Sequence, residues 1–281
     1  MAEKIGRVTP VRMVVTALGA IVATGVASAI WGGLLTVNLS TSPGVPWSAP
    51  VTWLLLWLAW RYAGGDGPPA ATRASRRRSL RGQMIDGPRF ALALAAGGCA
   101  LIALIGLWIV LFQTGAMQGN RVPDFAQYPM LTVVLVIATA AAMGAITEEG
   151  AFRGYVQGLF ERRWSPAIAI GVTALLLAPG HAATQGFALP TFAFYLLVDL
   201  MLGTTAYLCE SIVPGVVIHA AGLAAFFGWI WPNDATRVIG AQAPHEAWFW
   251  VHVVQIAVFG AASILAYRRL AAAASNRQRS A

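Results

Sequence analysis

The sequence predicts an all-α, polytopic helical membrane protein with about eight transmembrane helices, and three observations carry that prediction. Hydrophobic residues fill 58% of the 281 positions and charged residues only 11%, where an ordinary soluble domain carries about a quarter. The apolar residues gather into long runs separated by short polar or basic stretches, the pattern expected of membrane spans. The basic residues, which set a formal net charge of +8, lie mostly between and beyond those runs. There they orient spans, and no nucleic-acid partner is expected.

Lys4, Arg7 and Arg12 precede an apolar stretch over residues 13–37. It is longer than the roughly 7–15 residues of a signal-peptide core, so a retained first span is expected. Residues 49–62 make a short second run in which Trp53, Trp57 and Trp60 suit the interface. Arg61, Arg73, Arg76, Arg77, Arg78, Arg81 and Arg89 then crowd a stretch with Gly-Gly and Pro-Pro pairs. An irregular cytosolic loop touching anionic lipid is expected there.

A third span covers residues 90–112, and a fourth starts after Pro129 and ends at the acid pair Glu148-Glu149. A fifth begins at Pro166 and meets Pro179-Gly180, an expected helix break. The last three cover residues 192–209, 212–231 and 248–267, with Trp229, Trp231, Trp248 and Trp250 expected as interfacial anchors. Helices satisfy their own backbone groups in lipid, and no fixed repeat or separate soluble segment interrupts the pattern. Residues 1–281 are therefore expected to form one helical membrane domain.

Eight passes place the N-terminal basic group, the arginine-rich loop, Arg162 with Arg163, and the tail residues Arg268, Arg269, Arg277 and Arg279 on one side. Both termini are then expected in the cytosol, with the connections around Asp124, Gln185 and Asp234 opposite. The alanine- and arginine-rich composition points to a bacterial inner membrane. Cys99 and Cys209 lie in separate apolar runs without a C-x-x-C pair and read as small buried hydrophobes.

Charge inside an apolar run is costly unless it is paired or faces a wet cavity, which singles out one group of residues. Glu149 and Arg153 stand four apart and share a helical face, whereas Glu148 is turned from them by about 100°. His181 follows Pro179-Gly180, and His219 sits in another apolar run. Taken alone, the acids and Arg153 also fit a salt-bridged helix end, and each histidine also fits a simple interhelical bond. Together, two intramembrane histidines and an offset carboxylate can hold a water, move its proton and stabilise charge at a peptide carbonyl. Asp199, also inside a span, is expected in a specific polar environment. Gly150, Gly154 and Gly158 repeat at four-residue spacing, a face that admits another backbone closely.

Over residues 130–231 the sequence resembles the glutamate-dependent CAAX protease and bacteriocin-processing family, membrane proteins related to the Ras-converting endopeptidase. The resemblance rests on Glu148-Glu149-Gly150-Ala151-Phe152-Arg153 for E-E-x-x-x-R, on His181 for the family's F-x-x-x-H, and on His219 for H-x-x-x-N or H-x-x-x-D. It implies an intramembrane endopeptidase with its cavity between helices, acting on a hydrophobic peptide or membrane protein substrate, with membrane lipids as surroundings. Glu148 and His181 would activate water, His219 would stabilise the oxyanion, and Glu149 with Arg153 would orient the first carboxylate or bind substrate. Two positions depart from the pattern: Leu177 stands where the family has an aromatic residue, and Leu223 where it has Asn or Asp.

Leu223 removes a polar group from the expected site, so the alternative is a noncatalytic membrane protein that binds peptides, confers immunity or acts as a scaffold. Zinc held by His181, His219 and one glutamate is a further, less favoured reading, since no H-E-x-x-H is present. A transporter fits less well without an inverted repeat. One geometric difficulty stands: an ideal fifth helix carries His181 about 22 Å from Pro166, towards the side opposite Glu148. A tilted, broken or re-entrant segment is therefore expected.

Overall fold

The computed structural model describes residues 8–117 and 125–280, with the side chains of 182–185 and 277–280 outside the description. Lys4, Arg7 and the Asp124 connection lie outside the described residues, as do the side chains of Gln185, Arg277 and Arg279.

Helix α1 spans Pro10–Thr41, its start set by Pro10 and by Thr9, whose hydroxyl accepts from the Arg12 N–H. Asn38 is fully buried near its end. Its side-chain amide donates to the Ser42 and Val45 carbonyls, and its oxygen accepts from Ser48 N–H, so one residue closes α1 and caps α2, Ser48–Ala63. Helix α3 follows at Arg73–Leu80 and α4 at Gly87–Gln113, the latter capped by Asp86 on Arg89 N–H. Next come α5, Met130–Phe160, α6, Pro166–Gln185, and α7, Leu189–Cys209. Helices α8, Val213–Asp234, and α9, Ala247–Ser280, complete the order.

The chain is an integral membrane protein, and among the described residues six helices, α1, α4, α5, α7, α8 and α9, are long and apolar enough to cross a membrane. By this measure six of the expected eight spans are present, and the two that fall short are α2 and α6. Helix α2 has 16 residues, about 24 Å against a hydrocarbon core of about 30 Å. The apolar part of α6 covers only Pro166–His181.

Three further expectations change. The arginine-rich stretch is not wholly irregular, because α3 forms within it, anchored by the buried Leu80 among Trp60, Ala63, Tyr155, Ala206 and Ile212. Arg76 is buried rather than solvated: it lies over the Tyr62 ring at 4.2 Å and donates to the carbonyls of Asp66, Gly67 and Pro68. Pro179 does not break α6, which continues through it.

Helix α5 also does not end at the acid pair. It runs on to Phe160, with Glu149–Gln157 in wide π-helical turns. The glycine face of this extension meets the end of α3 and the segment after it: a Cβ on Gly154 would stand 2.8 Å from the Leu80 carbonyl oxygen and one on Gly158 3.4 Å from the Arg81 side chain. The α7–α8 turn docks on the same segment through Ile212 N–H to the Arg81 carbonyl and Ser211 Oγ to the Gln83 carbonyl. Glu210 caps α7 in the left-handed region at φ 50°.

Trp108, fully buried, packs edge-on against Phe194 and Phe226 and donates to Asp234. Trp231 joins this cluster and so is not a lipid-facing anchor, whereas Trp229, Trp248 and Trp250 are exposed. Helix α9 lies along α4, tied by Gln255 to the Ile102 carbonyl and Ser263 to the Ala96 carbonyl. Both cysteines are free.

Candidate active site

The extension of α5 resolves the depth difficulty. Glu148 lies 12 residues before Phe160 and His181 lies 15 residues after Pro166, comparable stretches of helix rising from the same connection. After the tight turn at residues 161–165, the two side chains reach nearly the same depth without a break in α6.

Glu148 Oε2 stands 3.8 Å from His181 Nε2 and 3.9 Å from His219 Nε2. Three helices, α5, α6 and α8, thus bring these groups to one place. Glu148 and His181 keep side-chain exposures of 24%, while His219 has 9%, Asp199 2%, Arg153 1% and Glu149 none. The partly open pair faces a cavity of about 460 Å³ whose lining includes both residues, His219, Tyr195 and Leu223. That volume is in the ordinary range for a ligand pocket.

Behind this pair runs a buried chain of charges. Asp199 Oδ1 accepts from Arg153 Nη2 at 2.5 Å, Arg153 Nη1 lies 3.4 Å from Glu149 Oε1, and that oxygen lies 3.0 Å from His219 Nδ1. The i, i+4 relation of Glu149 and Arg153 survives in the wide turns, and Asp199 reaches them from α7. With Glu149 ionised, the His219 proton resides on Nδ1 and donates to it, which fixes the ring and leaves Nε2 facing Glu148. Gly215, one turn before His219, gives Glu149 its room: a Cβ there would stand 3.0 Å from Glu149 Oε2.

All five residues singled out from the sequence, Glu148, Glu149, Arg153, His181 and His219, therefore gather here, and Asp199 finds a specific partner. Others were not singled out. Tyr195 stacks on His181 with ring centroids 4.5 Å apart and an angle of 19°. Buried Gln157 donates to the Gly203 carbonyl and to Glu161. The signal for Tyr195 was its four-residue spacing from Asp199, which puts both on one face of α7. Leu177 packs among Phe152, Val156 and α1 residues rather than in the cavity. Leu223 does line the cavity, with its Cδ1 against Gly144. His252 sits on α9 and pairs with Gln255, outside the site.

The zinc reading fits poorly. Donor atoms on tetrahedral zinc stand about 3.3 Å apart, whereas Glu148 Oε2 lies 3.8 and 3.9 Å from the two histidine nitrogens. Among the described residues no group of three His, Cys, Asp or Glu side chains is arranged to hold a metal.

Fold and site together define a polytopic membrane protein with a carboxylate–histidine centre between its helices. A family model described as "Rce1-like: Type II CAAX prenyl endopeptidase Rce1-like" matches residues 130–225. The chain is similar to that family over roughly a third of its length, a region holding the acid pair, Arg153, both site histidines, Asp199 and Leu223. No curated protein matches the chain, and no solved structure does.

Proposed function

We propose that the protein is an intramembrane endopeptidase that hydrolyses a peptide bond in a hydrophobic or membrane-associated peptide. The observation that carries this reading is the placement of Glu148 Oε2 within 4 Å of two histidine nitrogens from separate helices, at the wall of a largely apolar cavity. Such separations are too long for direct hydrogen bonds and suit a single bridging water.

In this reading Glu148 and His181 take a proton from that water as it attacks the scissile carbonyl, and return it to the leaving amine. His219, held through Nδ1 by Glu149, presents Nε2–H as an imidazolium to the oxyanion. Arg153 and Asp199 position Glu149 and do not touch substrate. The family similarity supports the reaction class, and the apolar cavity supports the substrate class. An eight-pass arrangement in a bacterial inner membrane, with both termini cytosolic and α2 and α6 crossing as short helices, belongs to the same proposal.

A second reading rests on Leu223, an apolar side chain lining the cavity where the resemblance leads one to expect a polar one. It makes the protein a noncatalytic binder of hydrophobic peptides. Profiling the purified protein against a peptide library separates the two. Wild type is expected to cleave, and Glu148→Ala and His181→Ala each to abolish cleavage while still inserting into membranes. Cleavage unchanged in either variant overturns the role assignment, and peptide binding without hydrolysis by wild type selects the second reading.

A further inference from the structure

A second cavity, of about 450 Å³, lies between α1, α2 and α5. Its lining is almost wholly apolar and includes Gly19 and Ala27 of α1, Leu56 of α2 and Gly150 of α5. It shares no lining residue with the cavity at Glu148. The acid pair faces one side of α5 while Thr147, Gly150 and Ala151 line the other, so an occupant here does not reach the reacting groups.

Along α1 the lining runs from Thr16 to Ala27, about 16 Å. That is half of a hydrocarbon core of about 30 Å, the depth of one leaflet. At the end marked by Trp60 and Leu80, which line both spaces, the cavity adjoins a polar pocket of about 260 Å³ bounded by Arg61, Asp66, Arg77 and Gln83. Arg61 binds Asp66 at 2.6 Å, and Asp66 is held below its ordinary carboxylate range by that hydrogen bond and charge. The Arg77 side chain makes no hydrogen bond or ion pair among the described residues. Because Arg76 turns inward onto Tyr62, its neighbour Arg77 stands exposed on α3, flanked by exposed Arg73 and Arg78.

We propose that this paired space binds one anionic phospholipid, with an acyl chain in the cavity between α1, α2 and α5 and its phosphate against Arg77 and Arg61. A leaflet-deep apolar slot ending in net positive charge matches a molecule with one apolar arm and an anionic head, and it matches a zwitterionic lipid less well. Basic side chains at a membrane surface attract anionic headgroups, and here two of them border the pocket that the slot leads into. The site is independent of the peptidase reading, since it shares none of that cavity's lining.

The test uses the purified full chain in detergent, titrated with dioleoyl phosphatidylglycerol, dioleoyl phosphatidylcholine or inorganic phosphate and followed by native mass spectrometry. Phosphatidylglycerol is expected to bind on the order of 10-fold or more tightly than phosphatidylcholine. The double variant Arg61→Gln/Arg77→Gln is expected to lose that preference, and Arg61→Lys/Arg77→Lys to keep it. Gly19→Leu is expected to weaken both lipids, because Gly19 lines the slot and a Cβ there meets nothing within 4 Å, so the longer side chain extends into the space the acyl chain would take. Equal binding of the two lipids by wild type, or an unchanged preference in the glutamine variant, overturns the proposal. So does phosphate binding with lipid binding indifferent to Gly19→Leu, which marks a bare anion site, or displacement of the lipid by a peptide that is then cleaved.

Discussion

Replacing Gly215 by alanine tests whether the Glu149 carboxylate sets the position of His219. The added Cβ would stand 3.0 Å from Glu149 Oε2 and 3.7 Å from its Cδ, so the carboxylate must move by several tenths of an ångström. Its other oxygen is the one that binds His219 Nδ1 at 3.0 Å and faces Arg153 at 3.4 Å, so the movement loosens both. A hydrogen bond to a charged group contributes about 1.5–3 kcal/mol. If the transition state depends on it, cleavage falls about 10- to 100-fold. In the opposite direction, alanine for glycine in a helix stabilises by about 0.4–1 kcal/mol, so the net effect on folding is a loss of about 0.5–2.6 kcal/mol. Gly171→Ala in α6, with nothing within 4 Å of its Cβ, supplies the control and should raise Tm with cleavage intact. The assay is cleavage of a library-derived peptide together with thermal unfolding in detergent. Full cleavage by Gly215→Ala, with Tm raised as in the control, would refute the reasoning.

Arg153→Met leaves Glu149 and Asp199 buried without their shared cation, and is expected to cost about 3–5 kcal/mol; an unchanged Tm would show that the ion chain does not support the fold. Gly154→Ala sets a Cβ 2.8 Å from the Leu80 backbone oxygen and should lift α3, costing about 1–3 kcal/mol and quickening proteolysis over residues 73–83, while Gly150→Ala at 3.5 Å from Leu80 Cδ1 is tolerated. Leu223→Asn places an amide at the cavity wall and is expected to raise kcat by up to about 100-fold if one oxyanion donor is missing. A fall in kcat with the fold intact would show that the apolar side chain itself shapes the site.

Much of this was legible in the sequence because lipid makes polarity conspicuous. Glu148, His181 and His219 stand out against apolar runs, and the motif spacing linked residues that lie up to 71 positions apart. Helix ends were harder. The stretch after Glu148 carries charges and glycines and reads as an interface, yet it continues α5 because its glycine face packs on Leu80 and its charges are satisfied within the protein. Wide turns leave no mark in composition. Arginine is a good helix former, and Leu80 supplied the anchor that made α3 helical where turn residues suggested a loop. Pro179 misled in the other direction, since a helix in a membrane tolerates proline when neighbours satisfy the freed carbonyl. The partner of Arg153 was a matter of three-dimensional packing, because Asp199 lies 46 residues away.

The turns over Glu149–Gln157 have a consequence for how this chain can vary over time. Each residue of a helix sets the rotation of everything beyond it, by about 100° in an α-helix and by less in wider turns. Loss or gain of a single position within that stretch would therefore swing the acids and the glycine seam out of phase with each other. Substitutions can adjust either edge of α5 separately, whereas a change of length between them must disturb both at once.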